Sequence, residues 1–294
     1  PAPLDRRRST ALRPRLSSHS VAATRIRVLT LNCLFPGHVP ARLHAIGPLL
    51  EEGRFDLVCL QEVAFRRHIN LLASRMPGYG PPVYRSVACG VLWGSGTFGR
   101  GGPARRSYGM FRRRGDWGTL GAADRIGRKG FLTTWLDLKG RPVIIVNTHL
   151  LANYDEDWSP SNRYAVQQLD ELEQLGDALV RLEEYALLLV VGDFNIPGAN
   201  PMLAEFRERT GLRNAAAAKP VATYRTTRPE APGQQIDHIF FRPSSADPVT
   251  VDSRLHFEAE VTMPDGRARF ASDHFGVEAR LDLESISQLS APDP

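Results

Sequence analysis

Polar side chains suited to metal binding and acid–base chemistry end the apolar stretches of this 294-residue chain. A hard ion such as Mg²⁺ binds one or two carboxylates and keeps water or substrate phosphate as its other ligands. Attack on a phosphodiester also needs a positioned water, a group that orients or deprotonates it, and donors for the phosphoryl oxygens. Six clusters offer these residue types: Asn32, Gln61-Glu62, Asn147-Thr148-His149, Gly192-Asp193-Phe194-Asn195, Gln235-Ile236-Asp237-His238 and Ser272-Asp273-His274.

Each of these residues also has an ordinary structural explanation. Gly192-Asp193 is a common strand-ending turn, and Asn195 shortly before Pro197 favours a turn. Asn32 would serve as a loop cap and Glu62 as a helix cap. Core packing does not require polar groups at the ends of successive strands, so their joint occurrence favours one shared site.

The apolar runs before the clusters predict the elements that hold them. Residues 26–32 alternate in character and residues 56–62 are almost continuously apolar, so both segments predict strands. Helices are predicted over residues 40–52 and, from leucines at helical spacing, over residues 165–182. Further strands are predicted at residues 143–150, 187–193, 236–241 and 275–283. This order indicates either two facing sheets or one doubly wound sheet, and the pattern alone does not choose between them.

Composition indicates one folded domain between two tails. A hydrophobic content of 42% is enough for one large α/β domain. Residues 1–24 are basic and lack periodicity, which predicts a disordered tail, and residues 285–294 predict a C-terminal tail. The catalytic domain is expected over residues 25–284. The three cysteines lack metal-ligand spacing, and Cys33 and Cys59 are expected to be buried thiols.

The formal charge of +5 would suit a polyanion or a membrane surface. Lys129, Lys139 and Lys219 are the only lysines, so almost all the positive charge is arginine, which a genome rich in G and C explains equally well. Arginines at 6–8, 105–106 and 112–114 are candidates for phosphate contact. No segment has the length and apolar content of a membrane span. The expected location is cytoplasmic or peripheral to a membrane, and secretion after removal of an upstream leader stays open.

The order of the six clusters resembles the endonuclease/exonuclease/phosphatase superfamily over residues 26–283. The resemblance implies a four-layer α/β sandwich, in which two facing mixed sheets have helices outside. It also implies a Mg²⁺ cofactor, with Mn²⁺ as the alternative. Asn32 and Glu62 would lie at the metal, and Asp273 would contribute directly or through water. Asp193 would orient or help deprotonate the attacking water, and Asn195 would contact the water or the phosphate.

The same resemblance implies the groups that bind the phosphate. His274, polarised by Asp237, would bind the phosphoryl oxygens or act as the base. His149 would donate to the phosphate or assist the leaving group. Lys129 and Asn147 are predicted to contact the substrate.

Finer motifs are similar to those of neutral sphingomyelinases. One departure is a missing Ser-x-x-Pro turn after the third strand, and another is Leu151, which stands where some relatives carry a second histidine. Phe98, Tyr108, Phe111 and Trp117 are expected in a Gly- and Arg-rich loop that would suit a lipid surface. The similar segments are Leu29-Thr30-Leu31-Asn32-Cys33, Phe55-Asp56-Leu57-Val58-Cys59-Leu60-Gln61-Glu62-Val63, Gly115-Asp116-Trp117 before Lys129-Gly130, and Thr148-His149-Leu150 before Ala152-Asn153-Tyr154.

The resemblance therefore implies a metal-dependent phosphodiester hydrolase that acts on a phospholipid headgroup such as that of sphingomyelin. Peripheral membrane contact is expected, and no protein partner is predicted. A DNA or RNA nuclease is the main alternative, because the same catalytic set and the basic tail suit a phosphate backbone. Hydrolysis of phosphoinositides or other phosphomonoesters is a third reading. A binding module that has lost turnover is a different class, and the complete polar set argues against it.

Overall fold

The structure, a computed structural model, describes residues 24–35, 37–87, 90–91, 94–112, 129–216, 221–226, 232–244 and 249–283. The helices in these ranges are α1 (Val39–Gly53), α2 (Arg66–Arg75), α3 (Ala165–Leu179) and α4 (Pro201–Thr210). None of these helices combines the length and the apolar character needed to cross a membrane. The two tails predicted from composition lie outside the described residues, apart from Thr24, which begins the first strand.

Two large sheets and two short hairpins account for the strands. The strands are β1 (Thr24–Asn32), β2 (Leu57–Gln61), β3 (Ser86–Val87), β4 (Gly90–Val91), β5 (Gly96–Gly99), β6 (Pro103–Met110), β7 (Gly130–Leu138), β8 (Arg141–His149), β9 (Leu187–Asp193), β10 (Arg213–Asn214), β11 (Asp237–Pro243), β12 (Val249–His256), β13 (Val261–Thr262), β14 (Ala268–Arg269) and β15 (Gly276–Leu283). The first sheet has the order β12-β15-β1-β2-β5, and the second has the order β10-β11-β9-β8-β7-β6. Both are mixed, because β1 and β2 run parallel, as do β8 and β9, among antiparallel neighbours.

Three hydrophobic cores separate four layers. The central core lies between the sheets and contains Val28, Cys59, Ile145 and Leu189 among its residues. A second core packs α1 and α2 on the outer face of the first sheet, and a third packs α3 and α4 on the outer face of the second. This is the four-layer α/β sandwich that the family resemblance implied.

Most predicted elements occur within a few residues of their expected bounds. Strand β9 begins and ends where predicted, and α1 extends the prediction by one residue at each end. The expected loop around Phe98 and Tyr108 is wrong, since Phe98 is buried in β5 and Tyr108 lies in β6. Trp117 lies outside the described residues. Cys33 and Cys59 are buried, as expected, and burial raises the pKa of each thiol to about 12.

Candidate functional site

Strand register brings the polar clusters to one edge of the sandwich. Parallel pairing of β1 with β2 sets Asn32 beside Gln61, and parallel pairing of β8 with β9 sets His149 beside Asp193. Antiparallel β11 begins with Asp237 opposite Asp193. Because β1, β2, β8 and β9 all end at this edge, their last side chains meet there.

Two backbone positions allow this close approach. Gly192 has a φ of +140°, and a Cβ there would lie 1.9 Å from the carbonyl oxygen of Thr148 on the neighbouring strand. Glu62 adopts a left-handed φ of 61°, and a Cβ on Gly94 would lie 2.9 Å from the Glu62 Cα. A side chain on either glycine would push apart the segments that present Asp193 and Glu62.

Carboxylates from the two sheets share one amide group. Asn32 Nδ2 donates to Glu62 Oε1 and to Asp193 Oδ2, both at 3.0 Å. Asn32 Oδ1 accepts a 2.9 Å hydrogen bond from the backbone of Leu34, and the backbone N–H of Phe35 donates to the second oxygen of Glu62. Asn32 and Asp193 are buried, and the Glu62 side chain is 24% exposed. The site is therefore open to solvent on the Glu62 side.

A second pair links an imidazole to a buried carboxylate. His274 Nδ1 lies 2.8 Å from Asp237 Oδ2, and its Nε2 lies 3.9 Å from Asp193 Oδ2. Burial opposes protonation of His274, but the charges of Asp237 and Asp193 outweigh it and raise the pKa of the imidazole to about 10. Thr223 Oγ1 donates to the same Asp237 oxygen at 2.7 Å, which fixes its orientation. At neutral pH His274 is thus a cation that presents Nε2–H to the site.

His149 differs from His274 in charge. Its pKa is lowered well below the usual value, first by burial and then by the charges of Lys129 and His274. Lys129 Nζ lies 2.9 Å from His149 Nε2 and donates to the carbonyl oxygen of Leu150 at 2.7 Å. The same imidazole nitrogen is 3.4 Å from Asp193 Oδ2. The neutral imidazole accepts from the ammonium group, so this side of the site carries its positive charge on Lys129.

Asp193 lies at the centre of these contacts. Burial raises the pKa of its carboxyl group to about 7, although the charge of His274 opposes the shift. Its Oδ1 accepts the backbone N–H of Asn195 at 2.9 Å, and the Asn195 side chain donates to Leu150 O at 3.1 Å. Asn195 has a φ of 52°, so the turn after β9 folds back over the site. A carboxyl group with this pKa suits proton transfer near neutral pH.

The loop before β15 is tied to the end of β1. Ser272 Oγ lies 2.7 Å from the carbonyl oxygen of Asn32 and 3.2 Å from Asp273 Oδ1. It also accepts the backbone N–H of His274 at 3.2 Å. Asp273 is half-buried at this junction. The Ser272 hydroxyl group therefore positions both Asp273 and His274.

Asn147 is the predicted residue that the structure does not place in the site. Its Nδ2 donates to the carbonyl oxygens of Leu60 and Gly96, both at 3.2 Å, and its Oδ1 accepts from Gln61 Nε2 at 2.8 Å. The side chain is fully buried, and every contact crosses from the second sheet to the first. Asn147 thus holds the two sheets together below the site, and none of these contacts supports the substrate contact predicted for it.

We expect Asn147→Ala to destabilise the fold. The change removes one hydrogen bond from each of three buried polar groups, and a loss of about 2–4 kcal/mol in the free energy of unfolding follows from the usual cost of such losses. Urea unfolding measures it. Asn70→Ala, at an exposed position, is the control and should change stability by less than about 0.5 kcal/mol. Equal effects of the two changes would contradict the role of Asn147.

Two positioning residues were not found in the sequence. Thr223 holds Asp237, but it belongs to no cluster and no pattern around it distinguishes it. Arg42 is buried, and its guanidinium group donates to the carbonyl oxygens of Cys33 at 3.0 Å and Leu34 at 2.7 Å, with a further bond to Gly37. Arg42 lies in the helix predicted over residues 40–52. An arginine on the buried face of that helix was the only feature of the sequence that could have indicated its role. It holds the loop that follows Asn32.

The donor set fits a hard divalent cation. Two carboxylate oxygens, from Glu62 and Asp193, lie 3.0 Å from the same amide nitrogen, an arrangement that favours a positive charge between them. Asp193, Asp237 and His274 also offer atoms within 4.8 Å of one another, but Asp237 and His274 are already bonded together. Oxygen ligands without cysteine favour Mg²⁺ or Mn²⁺ over softer metals. Glu62 and Asp193 supply oxygens that could hold the ion, and the metal contacts of Asn32 and Asp273 stay predictions.

Comparison with known proteins places the chain in a family. The model of the Endonuclease/Exonuclease/phosphatase family matches residues 29–274, which is most of the chain. A search among curated protein sequences found no match.

Solved structures share the fold at low identity. TDP2 of D. rerio, complexed with single strand DNA product, is 17% identical with a TM-score of 0.68, covering 88% of this chain and 99% of that chain. SmcL is 17% identical with a TM-score of 0.66 and the same coverage of 88% and 99%. A variant of beta toxin from Staphylococcus aureus with bound magnesium ions is 14% identical with a TM-score of 0.66, covering 87% and 99%. These likenesses show the fold, and the match over residues 29–274 shows that the chain belongs to the endonuclease/exonuclease/phosphatase family.

Proposed function

We propose that this chain is a Mg²⁺-dependent phosphodiester hydrolase that acts on a phospholipid headgroup such as that of sphingomyelin. The observation that carries the hydrolytic part is the convergence of Glu62 and Asp193 on the Asn32 amide group, with His274 Nε2 3.9 Å from Asp193 Oδ2. Family membership supports a hydrolase that acts on phosphodiester bonds.

The charges of the site residues suggest their roles. Asp193 would hold the attacking water and accept its proton, since burial brings the pKa of its carboxyl group to about 7. The imidazolium of His274 and the ammonium group of Lys129 approach Asp193 and His149 and would donate to the phosphoryl oxygens. A bound Mg²⁺ ion would supply further stabilisation of negative charge on the phosphate. Water adds to phosphorus, the bond to the leaving oxygen breaks, and that oxygen takes a proton.

Exposed apolar side chains close in sequence to residues of the site support a lipid substrate. Phe35, Val221 and Phe270 are 41%, 47% and 45% exposed, and each lies within three residues of Asn32, Thr223 or Ser272 along the chain. We call these three side chains the apolar fringe. Phe35 is also tied to Glu62 through its backbone N–H. Exposed apolar groups beside a polar site suit a substrate whose phosphate emerges from a lipid surface.

The test is hydrolysis of sphingomyelin vesicles and of plasmid DNA by the purified protein with Mg²⁺. We expect release of phosphocholine from the vesicles, loss of this activity with a chelator, and its return with Mg²⁺ or Mn²⁺. DNA nicking without phosphocholine release would overturn the lipid assignment and leave the hydrolytic one standing. Failure to hydrolyse these substrates and a soluble nitrophenyl phosphodiester would overturn both.

A double variant in the apolar fringe measures how much contact with the lipid surface contributes to hydrolysis. Replacing both Phe35 and Phe270 by serine should lower vesicle hydrolysis by about tenfold or more, since each aromatic group removed from water contributes on the order of 1–2 kcal/mol. Hydrolysis of the soluble nitrophenyl diester should stay within about twofold of the original rate. Val166→Ser on α3, at a position 67% exposed, is the matched control and should alter neither activity.

A nuclease remains the second candidate. The observation in its favour is that a protein of the same fold, TDP2 of D. rerio, was solved with a single strand DNA product. The DNA arm of the test above distinguishes the two candidates.

A further inference from the structure

A second cationic cavity lies beside the candidate site. It has a volume of about 760 Å³ and lies between α2, the segment before β3, and edge strand β6. Arg66, Arg85 and Arg106 line it together with Tyr84 and Tyr108. Arg66 begins α2, four residues after Glu62, so one wall of the cavity continues directly from the candidate metal ligand. The volume falls within the range of roughly 300–1,000 Å³ that is usual for small-molecule sites.

The charge of this cavity is uncompensated among the described residues. No carboxylate lines it, and within the described ranges Arg66, Arg85 and Arg106 form no ion pair, although many other arginines of the chain do. Three like charges around one cavity repel each other, and a bound anion would remove that repulsion. The cavity thus has the charge of a phosphate site without an internal counter-ion.

Tyr84 and Tyr108 form an aromatic wall of the cavity, and this wall holds Arg85 in place. Tyr108 donates a 2.6 Å hydrogen bond to the carbonyl oxygen of Tyr84, and the guanidinium carbon of Arg85 lies 5.4 Å from the centre of the Tyr108 ring. Burial raises the pKa of Tyr108, and the charges of Arg106 and Arg85 oppose this shift, which places both charges near the ring. An organic group attached to a phosphate would find an aromatic surface next to the arginines.

We propose that the Arg66–Arg85–Arg106 cavity is a second phosphate site, separate from the catalytic centre, for an organic phosphate of headgroup size. The phosphate would accept hydrogen bonds from the guanidinium groups, and the organic part would pack on Tyr108 and Tyr84. The ligand is either the headgroup of an anionic phospholipid next to the substrate or a soluble phosphate ester. Binding requires no turnover, so its test is independent of the proposed hydrolase function.

The double variant Arg66→Gln with Arg106→Gln tests this proposal on the full chain in the presence of a chelator. One arm titrates glycerol 3-phosphate by calorimetry, and the other measures co-sedimentation with phosphatidylcholine vesicles with and without phosphatidylglycerol. One of the two probes, glycerol 3-phosphate or vesicles with phosphatidylglycerol, should bind to the wild-type protein. We expect the double variant to bind that probe about tenfold or more weakly than the wild type does, as the loss of charge-assisted hydrogen bonds implies. Hydrolysis of the soluble nitrophenyl diester should be unchanged, and circular dichroism should show an intact fold.

Arg181→Gln is the surface-charge control, because it removes one arginine charge, half of the change in the double variant, from an exposed position beyond the far end of α3. Selective loss of glycerol 3-phosphate binding in the double variant identifies a soluble ester, and selective loss of vesicle binding identifies a lipid headgroup. An equal effect of Arg181→Gln, undiminished binding by the double variant, or no binding of either probe by the wild-type protein overturns the proposal. Binding only of a single-stranded oligonucleotide would assign the cavity to nucleic acid and overturn it as well.

Discussion

Asp193→Asn should lower kcat for phosphodiester hydrolysis by about 1,000-fold or more, because it removes the group proposed to accept the proton of the attacking water. The amide keeps the shape of the side chain, but its single oxygen can accept only one of the two hydrogen bonds that Asp193 receives from Asn32 and from the Asn195 backbone. It cannot accept a proton near neutral pH. Steady-state rates on sphingomyelin vesicles and on a nitrophenyl phosphodiester measure the effect on both substrates.

The same variant should keep a stability close to that of the wild-type protein. Burial raises the pKa of the Asp193 carboxyl group to about 7, so in the metal-free protein its ionisation opposes folding above the unfolded value of about 4. Thermal unfolding with a chelator should therefore give a midpoint for Asp193→Asn close to that of the wild type, because removing the cost of ionisation offsets the hydrogen bond that the amide loses. Asp252→Asn, on an exposed position of β12, is the matched control and should leave both rate and stability near wild type. Wild-type turnover by Asp193→Asn would remove Asp193 from the mechanism.

The strands that carry the site could be predicted because they are buried on both faces. Strand β9 has seven consecutive buried residues, and its apolar run ends at Gly192-Asp193 in sequence and in structure. Edge strands gave no such signal. Strand β6 carries exposed arginines and β12 alternates half-buried with exposed residues, so their pairing with β7 and β15 depends on contacts far along the chain.

The site itself was only partly visible in the sequence. Proximity to a strand end was enough for Asn32, Asp193 and His149, whose neighbours follow from register. Asn147 shows the limit of that reasoning. It shares a strand face with His149 but lies two residues earlier, which is roughly 7 Å deeper in the sandwich. At that depth its polar atoms reach the other sheet instead of the substrate.

Glu278 is a buried carboxylate that forms ion pairs with several partly exposed cations, and no local sequence pattern predicts this cluster. The side chain is fully buried in β15, where its Oε1 lies 2.7 Å from Arg27 Nε and 2.9 Å from Arg280 Nε. Its Oε2 lies 2.5 Å from Arg254 Nε and 2.7 Å from His256 Nε2. The residues come from β1, β12 and β15, so the cluster connects three adjacent strands of the first sheet. Burial alone would raise the pKa of Glu278, but these hydrogen bonds outweigh it and hold the pKa well below its usual range.

We therefore expect Glu278→Gln to destabilise the protein by about 1–3 kcal/mol at neutral pH, since a neutral amide replaces a buried carboxylate that accepts charge-assisted hydrogen bonds from three partly exposed arginines. A lowered folded pKa means that the carboxylate stabilises the fold above the unfolded value of about 4.3 and that this contribution is lost as the pH falls. The difference between wild type and variant should consequently be full at pH 7 and shrink progressively below pH 4. Urea unfolding across this range measures it.

Asp282→Asn provides the comparison for Glu278→Gln, because Asp282 lies on the same strand and pairs with an arginine in solvent. Nε of its partner Arg25 lies 2.7 Å from Asp282 Oδ1, and the Arg25 side chain is 64% exposed. Such exposed pairs contribute less than about 1 kcal/mol to stability. Added salt should weaken the Asp282 contribution, while the buried Glu278 cluster should respond little. A loss at Glu278 no larger than that at Asp282, or one independent of pH, would show that the cluster does not hold the three strands together.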